Sequence, residues 1–179
     1  MEKEKVNNIY WTLLNHRQWD MYVAATSAGL CYIGSPNAPF EEVDIWAKKR
    51  LPGWNLIEKK EVVQPYTVEL IEYLEGRLKN FTLPMDLQGT PFQQSVWQAL
   101  QELQYGQTVT YTVIAERIGK PKSVRAVGTA IGANPVLILV PCHRVVAKSG
   151  KLGGFRTGLE MKKELLKLEN RMPICEGNL

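Results

Sequence analysis

Apolar positions fall into two regimes along the chain. In the front half, Asn8 to Leu14 and Met21 to Tyr32 are dense in Tyr, Trp, Val and Thr with turn residues between them, which predicts a strand meander. Pro39 to Lys49, with Phe40, Val43, Ile45, Trp46 and Ala47, predicts a short amphipathic helix. Val68 to Leu78, with Leu70, Ile71, Tyr73, Leu74 and Leu78, predicts a stronger one. Two prolines and a glycine then interrupt Phe81 to Pro91. The expected division is an α/β unit over 1–84, a linker over 85–90 and a second unit over 91–179.

The second unit reads differently. Thr90 is placed to cap a helix with Pro91 in its first turn and Phe92, Val96, Leu100 and Leu103 as its apolar stripe; Gly106 ends it. Tyr111 to Ile118 predicts a short helix, Gly119 to Ser123 a turn, and Val124 to about Gly132 a second helix with Ser123 as its cap. Two short helices around such a turn fit a helix-turn-helix, and equally an ordinary helical hairpin. The second helix sets Arg125 among Ala126, Gly128, Ala130, Gly132 and Ala133. Each glycine there costs about 1 kcal/mol relative to alanine. Either a neighbouring helix packs closely on it, or a partner's backbone does. Val136 to Val140 then predicts a strand that ends at Pro141 in an exposed turn and delivers Cys142. Leu159 to Asn170 predicts a last helix with Met161, Leu165 and Leu168 facing the core and Glu169 on the flank of that face.

Charge sharpens the division. Residues 1–88 hold ten Lys and Arg against twelve Asp and Glu, while residues 89–179 hold twelve against six, so the back half carries +6. Any contact with a polyanion would belong there, and two solvated surfaces of different composition are the alternative. No apolar run approaches membrane-spanning length and no leader is apparent before the first strand, so a cytoplasmic protein without a membrane partner is expected. The three cysteines, Cys31, Cys142 and Cys175, are too few and too scattered for a disulfide framework, and with only His16 and His143 beside them no metal site is expected.

Cys142 is the residue that carries chemistry. A buried small hydrophobe is the ordinary role of a cysteine, but His143 and Arg144 follow it directly, and both favour a thiolate. In extended backbone His143 would point away from Cys142, so a turn or a bridging water is needed for one to serve the other. Glu169 is a candidate to orient the imidazole; a solvated glutamate at a fraying helix end is the alternative.

Asn134-Pro135, the apolar run, Pro141-Cys142-His143-Arg144-Val145 and the glycine-rich stretch ending at Gly158-Leu159 resemble the signature of the O6-alkylguanine-DNA alkyltransferases, also called methylated-DNA–protein-cysteine methyltransferases. The resemblance runs from about Thr90 to Glu169. It implies an α+β, two-domain fold, with an N-terminal ribonuclease H-like α/β domain lacking an active site of its own. The C-terminal domain is then mainly helical, with a winged or helix-turn-helix DNA-binding motif and the active-site cysteine. It implies that Cys142 accepts the alkyl group, His143 acts as a water-mediated base, Glu169 orients the imidazole and Asn134 ties the recognition helix to the acceptor segment. Arg125 would fill the gap left by a flipped nucleotide and Tyr111 would lie near its phosphate and base. Ala126 would belong to the helix that meets the minor groove, and Lys120 and Lys122, by their position in the preceding turn, would contact phosphates. Leu137, Pro141, Val145, Val146, Phe155 and Arg156 would line the alkylguanine pocket, with the carbonyls of Cys142 and Val145 accepting from the guanine amino group.

The implied partner is double-stranded DNA containing alkylated bases, O6-methylguanine and also O4-methylthymine. The implied agent is a monomer, spent after one transfer and needing no cofactor. Leu137, Arg156 and Thr157 differ from some relatives in a way that predicts a pocket favouring methyl over benzyl. A helix-turn-helix regulator, a non-catalytic binder of alkylated DNA and a cysteine hydrolase are the competing readings. The cysteine itself argues against the first two; against the third, a cysteine hydrolase usually takes its histidine from a distant segment, whereas His143 adjoins Cys142, and the sequence offers no recognisable oxyanion hole.

Overall fold

The computed structural model describes residues 7–153 and 156–169. Strands β1 (Asn8–His16), β2 (Trp19–Thr26) and β3 (Gly29–Ile33) form the expected antiparallel meander, and β4 (Asn55–Glu58) adds in parallel to β1, giving the order β3-β2-β1-β4. Two helices belong to this sheet, α1 (Glu41–Arg50) and α2 (Lys60–Leu74). The period-two alternation of β2 sorts its side chains: Ala24 packs with Tyr32, Val43 and Ala47 in one cluster, while Met21 and Val23 join Val63, Leu70 and Tyr73 in the other.

That second cluster does not stop at the expected boundary. It runs on through Val96, Trp97, Leu100, Ile114, Val127 and Val136 to Cys142 and Leu165, so the two halves share one core. Each fully buried Val, Leu or Ile contributes about 1.5–3 kcal/mol. The stretch expected as a linker is fastened to the sheet: Leu30 donates to the Pro84 carbonyl at 3.0 Å and accepts from Asp86 at 2.8 Å. It covers the β3 edge, which would otherwise stand open.

Helix α2 begins eight residues before the expected start, because Pro65 lies inside it and does not break it. Pro65 forfeits one hydrogen bond, but the buried positions Val63, Thr67, Leu70 and Leu74 repeat with helical spacing straight through it. Strand β4 carried no clear signal, since three of its four residues are exposed.

In the back half α3 (Pro91–Gln101) is closed by a reciprocal capping box between Thr90 and Gln93. Helices α4 (Tyr111–Arg117) and α5 (Val124–Gly132) form the helix-turn-helix, accompanied by a parallel pair of two-residue strands, β5 (Val109–Thr110) and β6 (Val145–Val146). Ser123 stands at the N-cap position of α5, as expected, but its side chain makes no capping hydrogen bond. Its ψ of 27° places it in the turn, whereas a capping serine needs extended backbone. Helix α6 (Leu159–Leu168) ends with Glu169 at its C-cap.

The predicted strand over 136–140 is absent. Only Val136 pairs, in an isolated bridge with Ile33, and the chain then coils with Leu139 donating to Leu137 and Val140 to Val136. Ile138 sits at φ 74°, a left-handed conformation costly for a β-branched residue, on the order of 1–3 kcal/mol. Pro141 is buried and does not form an exposed turn. A continuous apolar run reports burial without reporting conformation, and here the missing ladder partners come from the Asn134 side chain. No helix among the described residues is long and apolar enough to cross a membrane.

Candidate active site and nucleic-acid interface

Cys142 opens a single 3-10 turn, Cys142–Arg144, closed by Arg144 donating to the Pro141 carbonyl at 3.0 Å. This turn is what extended backbone could not provide. The three side chains fan from one point, and all are buried. Asn134 Nδ2 donates to Cys142 Sγ at 3.2 Å and to the Val140 carbonyl at 2.9 Å, while Asn134 Oδ1 accepts from Val136 at 2.9 Å. Burial pushes the Cys142 thiol up, and the Asn134 hydrogen bond with the Arg156 and Lys162 charges only partly offsets it. The resting group is therefore a protonated thiol.

His143 is wholly buried and its Nε2 lies 2.9 Å from Glu169 Oε1. Burial holds the imidazole below its ordinary value against the pull of Glu169, so it rests neutral. A neutral ring that donates from Nε2 keeps Nδ1 as an acceptor, and Nδ1 has no hydrogen-bond partner among the described residues.

Glu169 gathers the site's donors. Arg144 reaches it through Nε at 3.0 Å and Nη2 at 2.8 Å, Tyr73 Oη donates at 2.5 Å and the Gly106 N–H at 3.0 Å. Burial alone would raise the carboxyl, but His143, Arg144 and Tyr73 together hold it well below the usual carboxylate range.

These two shifts give a pH prediction. Glu169 is depressed, so its contribution to stability is present above its unfolded value and is lost as pH falls through the folded one. His143 is buried neutral, so below about pH 6.5 the unfolded chain takes up a proton that the folded chain resists. Both slopes have the same sign. Urea unfolding midpoints should fall from pH 7 to pH 5 and more steeply below about pH 4. A midpoint constant from pH 7 to pH 4 would contradict both assignments.

Lys162, on α6, is fully buried with Nζ donating to the Val145 carbonyl at 2.6 Å, and burial draws its ammonium down to about 8. The carbonyl expected to receive the guanine amino group thus already holds one strong donor, leaving a single lone pair.

Sequence reasoning named Cys142, His143, Glu169 and Asn134, and the structure brings all four together. It missed Tyr73 and Lys162 and took Arg144 only as a cation near the thiol. Lys162, Leu166 and Glu169 recur at i, i+4 and i+7, a stripe beside the one chosen. Of the expected pocket residues, Leu137, Pro141, Val145 and Val146 are buried around the turn. Phe155 lies outside the described residues. The Arg156 guanidinium is turned onto the front half, donating to the Ile33 carbonyl at 2.7 Å and to Tyr32 Oη at 3.3 Å.

Tyr111, the first residue of α4, is half-buried, and its hydroxyl occupies the space where a side chain at Gly153 would begin. Beyond it α5 presents Arg125, Ala126, Thr129 and Gly132 outward, with Lys120 and Lys122 exposed in the preceding turn. No atom of the chain lies within 4 Å of the position a Gly132 side chain would take. Gly132, the last residue of α5, therefore faces open space among the described residues. Among the described residues no three His, Cys, Asp or Glu side chains are grouped to hold a metal ion.

Two family models match: the 6-O-methylguanine DNA methyltransferase ribonuclease-like domain over residues 9–87 and the corresponding DNA-binding domain over 91–171. An inducible methylated-DNA–protein-cysteine methyltransferase of Bacillus subtilis is 55% identical over 163 residues, 91% of each chain. A methylated-DNA–protein-cysteine methyltransferase of Methanosarcina acetivorans is 39% identical, over 90% of this chain and 98% of that one. The solved O6-methylguanine methyltransferase of Mycobacterium tuberculosis superposes with a TM-score of 0.77 at 34% identity, covering 93% of this chain and 96% of that one. The same organism's OGT in complex with DNA superposes at 0.76 and 34%, covering 92% and 96%.

Proposed function

The chain belongs to the 6-O-methylguanine DNA methyltransferase family, and we propose that it repairs O6-methylguanine in double-stranded DNA by moving the methyl group onto Cys142. The observation that carries this reading is one buried cluster, in which Asn134, the residue after the C-cap of α5, bonds the Cys142 sulfur and Glu169 holds His143. O4-methylthymine offers the same alkyl–oxygen bond and is a second substrate. The protein acts as a monomer, in the cytoplasm.

The small outward residues Ala126 and Gly132 let α5 sit close to the minor groove, and Arg125 takes the stacking position of the extruded nucleotide. Lys120 and Lys122 bind phosphates, which makes affinity fall with salt and leaves little sequence preference. Extrusion costs a few kcal/mol and is needed because the sulfur is buried. In the pocket the Cys142 proton passes to His143 Nδ1 through a water. The thiolate attacks the methyl carbon, the carbon–oxygen bond breaks as the sulfur–carbon bond forms, and the departing guanine takes a proton from Tyr111. The Tyr111 oxygen is then reprotonated by the proton held on His143. The thioether is stable to water, so each molecule acts once.

The test is the intact mass after incubation with a duplex holding one O6-methylguanine, with Cys142→Ala in parallel. The expected result is a gain of one methylene mass in the wild type alone, stopping at one equivalent. No gain with the duplex still bound would leave a binder of damaged DNA.

A further inference from the structure

Tyr73 belongs to α2, in the half of the chain to which the family resemblance gives no active site, yet its side chain ends inside the reactive cluster. It is fully buried, and its hydroxyl lies 2.5 Å from Glu169 Oε1 and 3.4 Å from His143 Nε2. A phenol has one proton to donate. The nearer, charged acceptor takes it, and Nε2 already directs its own proton at the same oxygen. Glu169 Oε1 thus receives Tyr73, His143 and Arg144 Nη2, while Oε2 receives Gly106 and Arg144 Nε.

We infer that Tyr73 is a positioning residue for alkyl transfer: its hydroxyl fixes the Glu169 carboxylate and moderates its pull on His143, so the front half supplies part of the active site. This rests on the relay proposed above. A carboxylate with fewer donors is a stronger partner for an imidazolium. Without the Tyr73 proton, Glu169 would favour charged His143, and the ring would be protonated over more of the neutral range and less able to accept the thiol proton. The other charged or titratable groups facing this pair are Arg144 and Cys142 from the 3-10 turn, Tyr105 from the loop after α3 and Lys162 from α6, whose ammonium donates to the Val145 carbonyl and opposes a charge on His143; Lys79 lies over the far ring of Tyr105. None of these substitutes for the phenol, because Tyr105 donates to the Leu168 carbonyl at 3.0 Å and the Arg144 nitrogens are already committed.

Tyr73→Phe removes only the oxygen. The ring keeps its packing against Phe81 and Tyr105, with centroids 5.3 and 6.0 Å away. Single-turnover methyl transfer should slow about tenfold at neutral pH, as expected when the partner orienting a catalytic group is lost. The acid limb of the rate profile should move up by about one pH unit. Affinity for undamaged duplex should stay unchanged, since Tyr73 is buried. Tyr105→Phe is the control: it removes a hydroxyl from the same aromatic cluster and should leave the limb where it is. Should Tyr73→Phe not fold, fluorotyrosine at position 73 keeps the ring and donates more strongly, and the limb should move down. Wild-type rates and an unmoved limb in a folded Tyr73 variant, with the wild type active, overturn this assignment alone. A wild type that transfers nothing overturns the relay and this assignment with it.

Discussion

Replacing Arg144 by leucine is expected to lower the unfolding free energy by about 3–5 kcal/mol. The side chain is 8% exposed, donates three times to Glu169, and reaches the Leu103 carbonyl with Nη1 at 2.5 Å. Leucine would leave the carboxylate buried with a weaker set of donors, and one buried carbonyl with none from this side chain. The cost is that of an uncompensated charge, which exceeds the net worth of the ion pair when both partners are present. The double variant Arg144→Leu with Glu169→Leu should therefore regain part of the loss while remaining inactive, because His143 then loses the carboxylate that holds it. Urea unfolding of the three proteins measures both effects. A loss under 1 kcal/mol in the single variant would mean that water reaches Glu169 and that the cluster is not dry.

The same cluster shows where the sequence was informative. The meander was legible from its strand-prone composition and turns, the two short helices of the back half from the turn between them, the terminal helix from its apolar spacing, and Cys142, His143 and Asn134 because they stand together in a short motif. Tyr73 was hidden for the opposite reason. It sits at a core position of an amphipathic helix, where a tyrosine counts as an apolar ring, and nothing local reveals which distant carboxylate its hydroxyl meets. Lys162 was hidden because a lysine on a helix flank is read as solvated. The segment 136–140 misled because its residues are both β-prone and fully buried, and five such residues satisfy a strand and a coiled turn equally well. What decides between them is Asn134, whose amide takes over the hydrogen bonds a neighbouring strand would have made. The first two turns of α2 were not read as helix, and Pro65 stands within them; the hydrogen bond it forfeits is offset where tertiary packing anchors the helix on both sides.

Asn134→Ala is accordingly expected to slow methyl transfer at least a hundredfold with little change in affinity for undamaged duplex. Asn134 follows directly on Ala133, the C-cap of α5, so it joins the DNA-facing helix to the acceptor turn. Alanine would strand the buried Val136 N–H, at a cost of about 1–3 kcal/mol, and would leave the Val140 carbonyl with the Cys142 N–H, 2.7 Å away, as its remaining donor. Ile138 is held at positive φ between those two bonds. Once they are gone the turn can relax toward ordinary backbone and carry Cys142 with it, and a displacement of about 1 Å at the reacting atom is enough for a hundredfold loss. Asn134→Asp separates geometry from electrostatics. It preserves the acceptor for Val136 but sets an anion in place of the donor that lies 3.2 Å from the sulfur, which opposes the thiolate directly. Its transfer rate should therefore rise as pH increases further than the wild type's does, whereas the alanine variant should stay slow at every pH. An alanine variant within tenfold of wild type would mean that the acceptor turn holds its shape without Asn134, and that the contact with the sulfur is incidental.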